Sequence, residues 1–135
     1  MVEVVNRQRK AKIPKRDWSV LGNRILERVG RKESSATIAF VSDDRIRQLN
    51  RRYRGFDRAT DVLSFPTREE DVELGDIAIS VERARTQARQ NGLTLEQEIA
   101  QLILHGLLHL CGYDHETDNG EMNSIELKLR RELGI

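Results

Sequence analysis

Residues 94–115 read TLEQEIAQLILHGLLHLCGYDH, and this stretch decides the architecture. Thr94 followed three residues later by Gln97 is a capping-box start for a helix. From Ile99 to Leu110 the chain is apolar almost all round, a pattern that suits a helix packed on every side. The reading is one central buried helix that ends near Cys111, with the rest of the chain folded around it.

Outward from that helix, the N-terminal half alternates strand and helix signals. Residues 2–5 read as a short edge strand. Pro14 is placed to open a helix at its first turn. Trp18, Leu21, Ile25, Leu26 and Val29 then recur at helical spacing, and Gly30 closes it. Residues 36–41 form the next strand. Ser42, with Asp43 and Asp44 behind it, caps a helix whose acids face the positive dipole end. Ile46, Leu49 and Tyr53 fall on one face of that helix, with Tyr53 read as core, and Gly55 ends it. Residues 62–65 are a second inner strand stopped by Pro66, and residues 75–80 a strand that pairs with it as a hairpin. A short polar helix over 82–90 precedes the central one, and a last helix covers roughly 120–133. The predicted fold is α+β: one domain over residues 1–135, with a small mixed sheet of about four strands packed with helices around the central one.

At 135 residues the chain suits a single core. Its one cysteine excludes a disulfide framework and a cysteine zinc finger. No apolar run approaches the roughly 20 residues of a membrane span. The opening MVEVVNRQRKAK has no apolar h-region of a secretory signal, so a cytoplasmic location without membrane attachment is expected. Aromatic residues make up only 4% of the chain, which argues against a surface built for base stacking. The net charge of +1 hides an asymmetry: residues 1–68 carry 17 Lys and Arg against 8 Asp and Glu, and residues 69–135 carry 6 against 14. The basic half is mostly arginine, the residue suited to forked phosphate contacts.

All three histidines, His105, His109 and His115, lie within the decisive stretch. His105 and His109 are four apart, which on a helix is about 40° of rotation and 6 Å of rise, so both imidazoles leave one face. Gly112 can take the left-handed conformation that ends a helix, and His115 can then return from the opposite side. Three neutral imidazoles suit one zinc ion with a fourth position open to water, although nickel or copper would also be accepted. Such a centre keeps its full positive charge and attracts anions. Two other readings stand beside this one: ordinary histidines satisfied by the core, and a closed structural site with Cys111 as fourth ligand. Cys111 is about 200° round the helix from His109, which makes it core packing instead. The same spacing matches the metzincin peptidases, but those place a glutamate base directly after the first histidine, where this chain has Gly106.

The string H-G-x-L-H-L-x-G-Y-D-H, here residues 105–115, resembles the signature of the YbeY family of rRNA maturation factors. Tyr53-Arg54-Gly55, the run Thr60-Asp61-Val62-Leu63-Ser64-Phe65-Pro66, and Gly75-Asp76-Ile77 are similar to the family's other conserved segments. The resemblance covers nearly the whole chain. It implies a zincin-like metal site and a zinc-dependent, single-strand-specific endoribonuclease. It implies a role in 16S rRNA 3′-end maturation and ribosome quality control, with single-stranded ribosomal RNA, the small subunit and assembly factors as partners; the sequence does not give the oligomeric state, for which a monomer is the default expectation. His105, His109 and His115 correspond to its zinc ligands, with water completing the shell, and Arg54 to its functional arginine.

Arg54 also stands out without the resemblance. Arg51, Arg54 and Arg58 recur in a run that can track a phosphate backbone, so all three are candidate RNA contacts. Ser64, Asp61 and Asp76 sit at strand ends, either as partners of the histidines or as turn chemistry. The main rival to the nuclease is a non-catalytic ribosome assembly factor that uses zinc for stability; a metallopeptidase and a zinc hydrolase of small phosphate esters are weaker alternatives.

Overall fold

A four-stranded sheet carries the site. In a computed structural model, which describes residues 1–67, 72–114 and 118–135, the strands are β1 (Val2–Asn6), β2 (Ser35–Val41), β3 (Val62–Pro66) and β4 (Glu73–Ser80). Their order is β1-β2-β4-β3; β1 and β4 run parallel to β2, and β3 runs antiparallel to β4. The helices among the described residues are α1 (Trp18–Arg28), α2 (Asp43–Arg54), α3 (Val81–Asn91), α4 (Leu95–Leu110) and α5 (Glu121–Leu133). The mixed sheet and the β3–β4 hairpin agree with the sequence reading.

The period-2 alternation of the strands separates two faces. Ile38 pairs with Ile77 and Phe40 with Ile79, and all four join α1 and α4 in the main apolar core. Ala78 and Val41 point the other way, to a smaller cluster under Ile46 of α2. α4 lies over β3 and β4 and also touches α1, α3 and α5. Its capping box is formed: Thr94 Oγ1 accepts from Gln97 N at 3.1 Å, and Gln97 Oε1 accepts from Thr94 N at 2.9 Å. Ile99, Ile103, Leu104, Leu107 and Leu108 are completely buried, as a helix apolar on all sides requires.

Three local expectations need correction. Pro14 does not open α1. The helix starts at Trp18 because the Asp17 carboxylate accepts from Val20 N at 3.2 Å, a stronger cap than a proline-led turn. β3 is an edge strand, consistent with the proline at its end, because β4 takes the inner position between β2 and β3. Tyr53 is 60% exposed and not core; its ring meets Phe65 of the edge strand edge-on at 5.3 Å and is left open to solvent otherwise.

Gly75 makes the hairpin possible. It has a φ of +136°, and a β-carbon there would collide with the carbonyl oxygen of Phe65. Only glycine allows the two strands to approach at that point.

Candidate metal centre and phosphate cleft

The C-terminal half of α4 forms one wall of an open cleft of 590 Å³. His105 and His109 project into it from the helix; Asp61, Val62 and Ser64 of the β3 side face them, with Arg54 from the end of α2. The two imidazoles converge: Nε2 of His105 lies 3.0 Å from Nε2 of His109. At that distance the two rings share a hydrogen bond; two nitrogens bound to one tetrahedral zinc at the usual 2.0–2.1 Å would stand about 3.3 Å apart, so a cation could replace the shared proton with only a small opening of the pair.

His105 has a specific partner behind it. Its Nδ1 lies 2.8 Å from Oε1 of Glu126 on α5, a carboxylate only 6% exposed. An ionised carboxylate only accepts hydrogen bonds, so the proton of the neutral imidazole belongs on Nδ1. Nε2 is then left with a lone pair aimed into the cleft, the tautomer a metal ligand needs. The other oxygen of Glu126 lies 3.5 Å from Arg130 Nη2, one helical turn on. Glu126 escaped the sequence reading, yet a signal existed. Met122, Glu126, Leu129 and Leu133 form the buried stripe of α5, and a carboxylate on an apolar stripe asks for a partner.

Gly106 explains why the helix can lie so close to the sheet. A β-carbon on it would come within 2.9 Å of Ile77 Cδ1 and 3.0 Å of Cγ2. The position after the first histidine therefore faces β4 and not the cleft, so a base could not be presented from it. Gly112, at φ +97°, turns the chain out of α4, and Tyr113 and Asp114 line the cleft beyond it. His115, the third predicted ligand, lies outside the described residues. Among the described residues no three metal-type side chains form a group.

The remaining candidates divide. Arg54 reaches the cleft; Arg51 and Arg58 are exposed but do not line it. Ser64 Oγ donates to the Gly106 carbonyl at 3.3 Å, which ties β3 to α4 between the two histidines. Asp61 accepts from Val62 N at 2.8 Å and Thr60 Oγ1 at 3.2 Å, a strand-entry turn at the cleft wall. Asp76 is on the opposite face of the sheet, among Thr37, Ala78 and Tyr53, because it is one residue from Ile77 in a period-2 strand. Partial desolvation in that hollow pushes its carboxyl above the usual range although the residue as a whole is exposed, with Glu73 adding to the effect. Cys111 lines a separate hollow with Val29 and Arg31, and burial raises its thiol.

The sequence profile described as Endoribonuclease YbeY matches residues 3–134. The chain belongs to the YbeY family. Relatives named Endoribonuclease YbeY include those of Solibacter usitatus, 56% identical over 95 residues (70% of this chain and 63% of the relative), and Koribacter versatilis, 51% identical over 98 residues (73% and 64%). The matched part is thus just under two thirds of either relative's length. The relative from Acholeplasma laidlawii is 48% identical over 99 residues, 73% of this chain and 72% of its own. The solution structure of a Thermotoga maritima protein, 34% identical, superposes with a TM-score of 0.63 over 95% of this chain and 85% of that one. The YbeY family assignment agrees with the motifs at residues 53–66, 75–77 and 105–115. No helix among the described residues is long and apolar enough to cross a membrane.

Proposed function

We propose that residues 1–135 are one metal-dependent endoribonuclease domain, and that its cleft cuts single-stranded RNA with the aid of one zinc ion. The carrying observation is the convergence of His105 Nε2 and His109 Nε2 at 3.0 Å, with Glu126 fixing the His105 ring, in the cleft that Arg54 also lines. The donor set fits zinc: two imidazoles on one helix face, one of them backed by a carboxylate. His105, His109 and His115 would hold the ion. Bound there, zinc supplies Lewis acidity toward a phosphodiester and makes a water molecule more acidic.

The chain's own groups do the rest. Glu126 keeps the His105 proton on Nδ1 and so keeps Nε2 available. Arg54 holds a phosphate through its forked donors and stabilises the charge that builds on its oxygens during cleavage. Ser64 holds β3 against α4 and so fixes the width of the cleft. The substrate we assign is the 3′ region of 16S rRNA, in small-subunit maturation and ribosome quality control in the cytoplasm. The names of the relatives support an enzyme that cuts RNA, the arginine-rich half of the chain suits a polyanion, and the choice of the 16S 3′ region rests on the resemblance of the motifs at residues 53–66, 75–77 and 105–115.

The test is cleavage of an end-labelled RNA spanning that region, with wild type, His109→Ala and Arg54→Ala purified in parallel. Cleavage by wild type alone, stopped by a chelator, is the expected result. Equal cleavage by wild type and His109→Ala would mean a contaminant. A wild type that holds zinc and binds RNA without cutting it would favour the assembly-factor role.

A further inference from the structure

The end of α2 carries an aromatic ring that the core does not use. Phe56 is 45% exposed and belongs to neither apolar cluster. Two guanidinium carbons lie against its ring, Arg54 Cζ at 5.3 Å and Arg58 Cζ at 5.1 Å from the centroid. Both are within the roughly 6 Å at which a cation is attracted to an aromatic face. The turn that brings them together is anchored. Asn50 is 1% exposed, its Nδ2 donates to the Arg58 carbonyl at 2.9 Å, and its own carbonyl accepts from Phe56 N at 3.4 Å. Residues 55–58 therefore fold back onto the last turn of α2.

Two like charges gathered on one ring repel each other, and no carboxylate among the described residues forms an ion pair with either. The nearby acid, Asp57, is engaged by Arg47 at 2.8 Å. An anion between them would relieve that repulsion, and Arg54 is at the same time a wall of the histidine cleft. We propose that Phe56 is a positioning residue whose ring holds Arg54 and Arg58 side by side as a two-guanidinium clamp for successive phosphates of a single strand entering the cleft. The clamp rests on the reading of the cleft as a phosphodiester site. It also gives Arg58, which lies outside the cleft, a place on the path of the strand.

The test is fluorescence anisotropy with a labelled 2′-O-methyl single-stranded oligonucleotide, titrated at several salt concentrations. The proteins are wild type, Phe56→Leu, Phe56→Tyr, Arg58→Gln and the Phe56→Leu/Arg58→Gln double variant, each checked for an unchanged melting temperature. Loss of the ring should weaken binding by about fivefold. It should also flatten the salt dependence by about 0.7 log unit per log unit of salt for each phosphate contact released. Phe56→Tyr should restore both. The double variant should bind more tightly than the product of the two single effects requires, because the ring's hold on Arg58 can be lost only once and only its hold on Arg54 remains to be removed. The clamp is refuted if Phe56→Leu binds with wild-type affinity and salt slope, if tyrosine does not rescue, if the two effects multiply, or if wild type fails to bind the strand. A wild type that binds through the clamp but never cuts RNA would remove the nuclease reading alone. One that cuts RNA while Phe56→Leu binds normally would remove the clamp alone.

Discussion

Replacing Glu126 should loosen the metal without unfolding the protein. The carboxylate lies 2.8 Å from His105 Nδ1 and is nearly buried, and carboxylates in this position typically contribute 10- to 100-fold to metal affinity. Glu126→Gln keeps an oxygen that accepts from Nδ1–H but loses the charge, so about tenfold weaker zinc binding is expected. Glu126→Leu loses the acceptor too, and should fall nearer 100-fold. Leucine suits the stripe that Met122 and Leu129 already form. The abandoned Arg130 guanidinium stands at 3.5 Å with about a third of its side chain exposed, so its lost ion pair is worth little. The readout is the thermal shift on adding zinc. At 100 times its dissociation constant, zinc stabilises wild type by about 2.7 kcal/mol, and the same concentration gives about 1.4 kcal/mol when affinity is tenfold lower and about 0.4 kcal/mol when it is 100-fold lower. For a domain of this size the first difference is about 3–6 °C in Tm. An unchanged zinc-induced shift in Glu126→Leu would show that the carboxylate does not support His105 as a ligand, and a wild type with no zinc-induced shift at all would overturn the metal reading.

Other substitutions test the supports of the cleft. Gly106→Ala adds a methyl group 2.9 Å from Ile77 Cδ1. Overpacking of about 1–3 kcal/mol should outweigh the gain of about 1 kcal/mol in helix propensity, so a lower Tm in a denaturation scan is expected, and a higher one would show that α4 can move off the sheet freely. Gly75→Ala combines a φ of +136° with a collision against the Phe65 carbonyl; it should cost about 3 kcal/mol or more, read as a fall in the urea midpoint, and a midpoint like wild type would contradict the hairpin geometry. Glu98 is 3% exposed, and burial raises its carboxyl despite the hydrogen bond from Asn91, with Asp61 adding to the rise and Arg130 opposing it. Because the folded value is the higher one, its favourable contribution is present below the ordinary glutamate value of about 4.3 and is lost as pH rises through the folded value. Glu98→Gln should therefore raise Tm relative to wild type at pH 7, with the advantage shrinking toward pH 4; an advantage constant across that range would contradict the burial argument.

The fold was legible where local chemistry and burial agree. The capping box at Thr94, the Ser42 cap and the nearly all-round apolar surface of α4 each have one good solution, and the structure adopts it. Expectations failed where the outcome depends on a neighbour distant in sequence. Whether a strand is inner or edge is set by which of β3 and β4 pairs with β2, and the composition of residues 62–65 does not encode that choice. Tyr53 has helical spacing with Ile46, but only Phe65 of the edge strand meets its ring, which leaves it 60% exposed. The site shows the same division. His105 and His109 share a face by helical geometry alone, whereas Glu126 reaches them only because α5 packs on α4. Arg54 enters the cleft and Arg58 stays outside, a difference set by the turn that Asn50 anchors and not by their spacing.

The helix face that presents the two histidines also bears on the choice of chemistry. The spacing is shared with metal-dependent peptidases, so ligand geometry alone does not select the reaction. The neighbouring position does. Gly106 faces Ile77 across a gap with no room for a β-carbon, so a glutamate there would force α4 away from β4 and disturb the convergence of the imidazoles. The close contact of helix and sheet that sets the ligand positions thus excludes the peptidase base from that place. The charged groups that line the cleft with the histidines are Arg54, Asp61 and Asp114, with Arg54 the one cation among the described residues and neither carboxylate on the helix turn that follows the first histidine. A centre with imidazole donors, an arginine in front and no carboxylate base following the first ligand is suited to holding an anion while it reacts. It is less suited to activating water against a neutral peptide carbonyl. Restoring a glutamate at position 106 therefore should not create a peptidase: Gly106→Glu is expected to lower Tm and weaken zinc binding together, and a folded, zinc-binding variant that hydrolyses casein would overturn the argument.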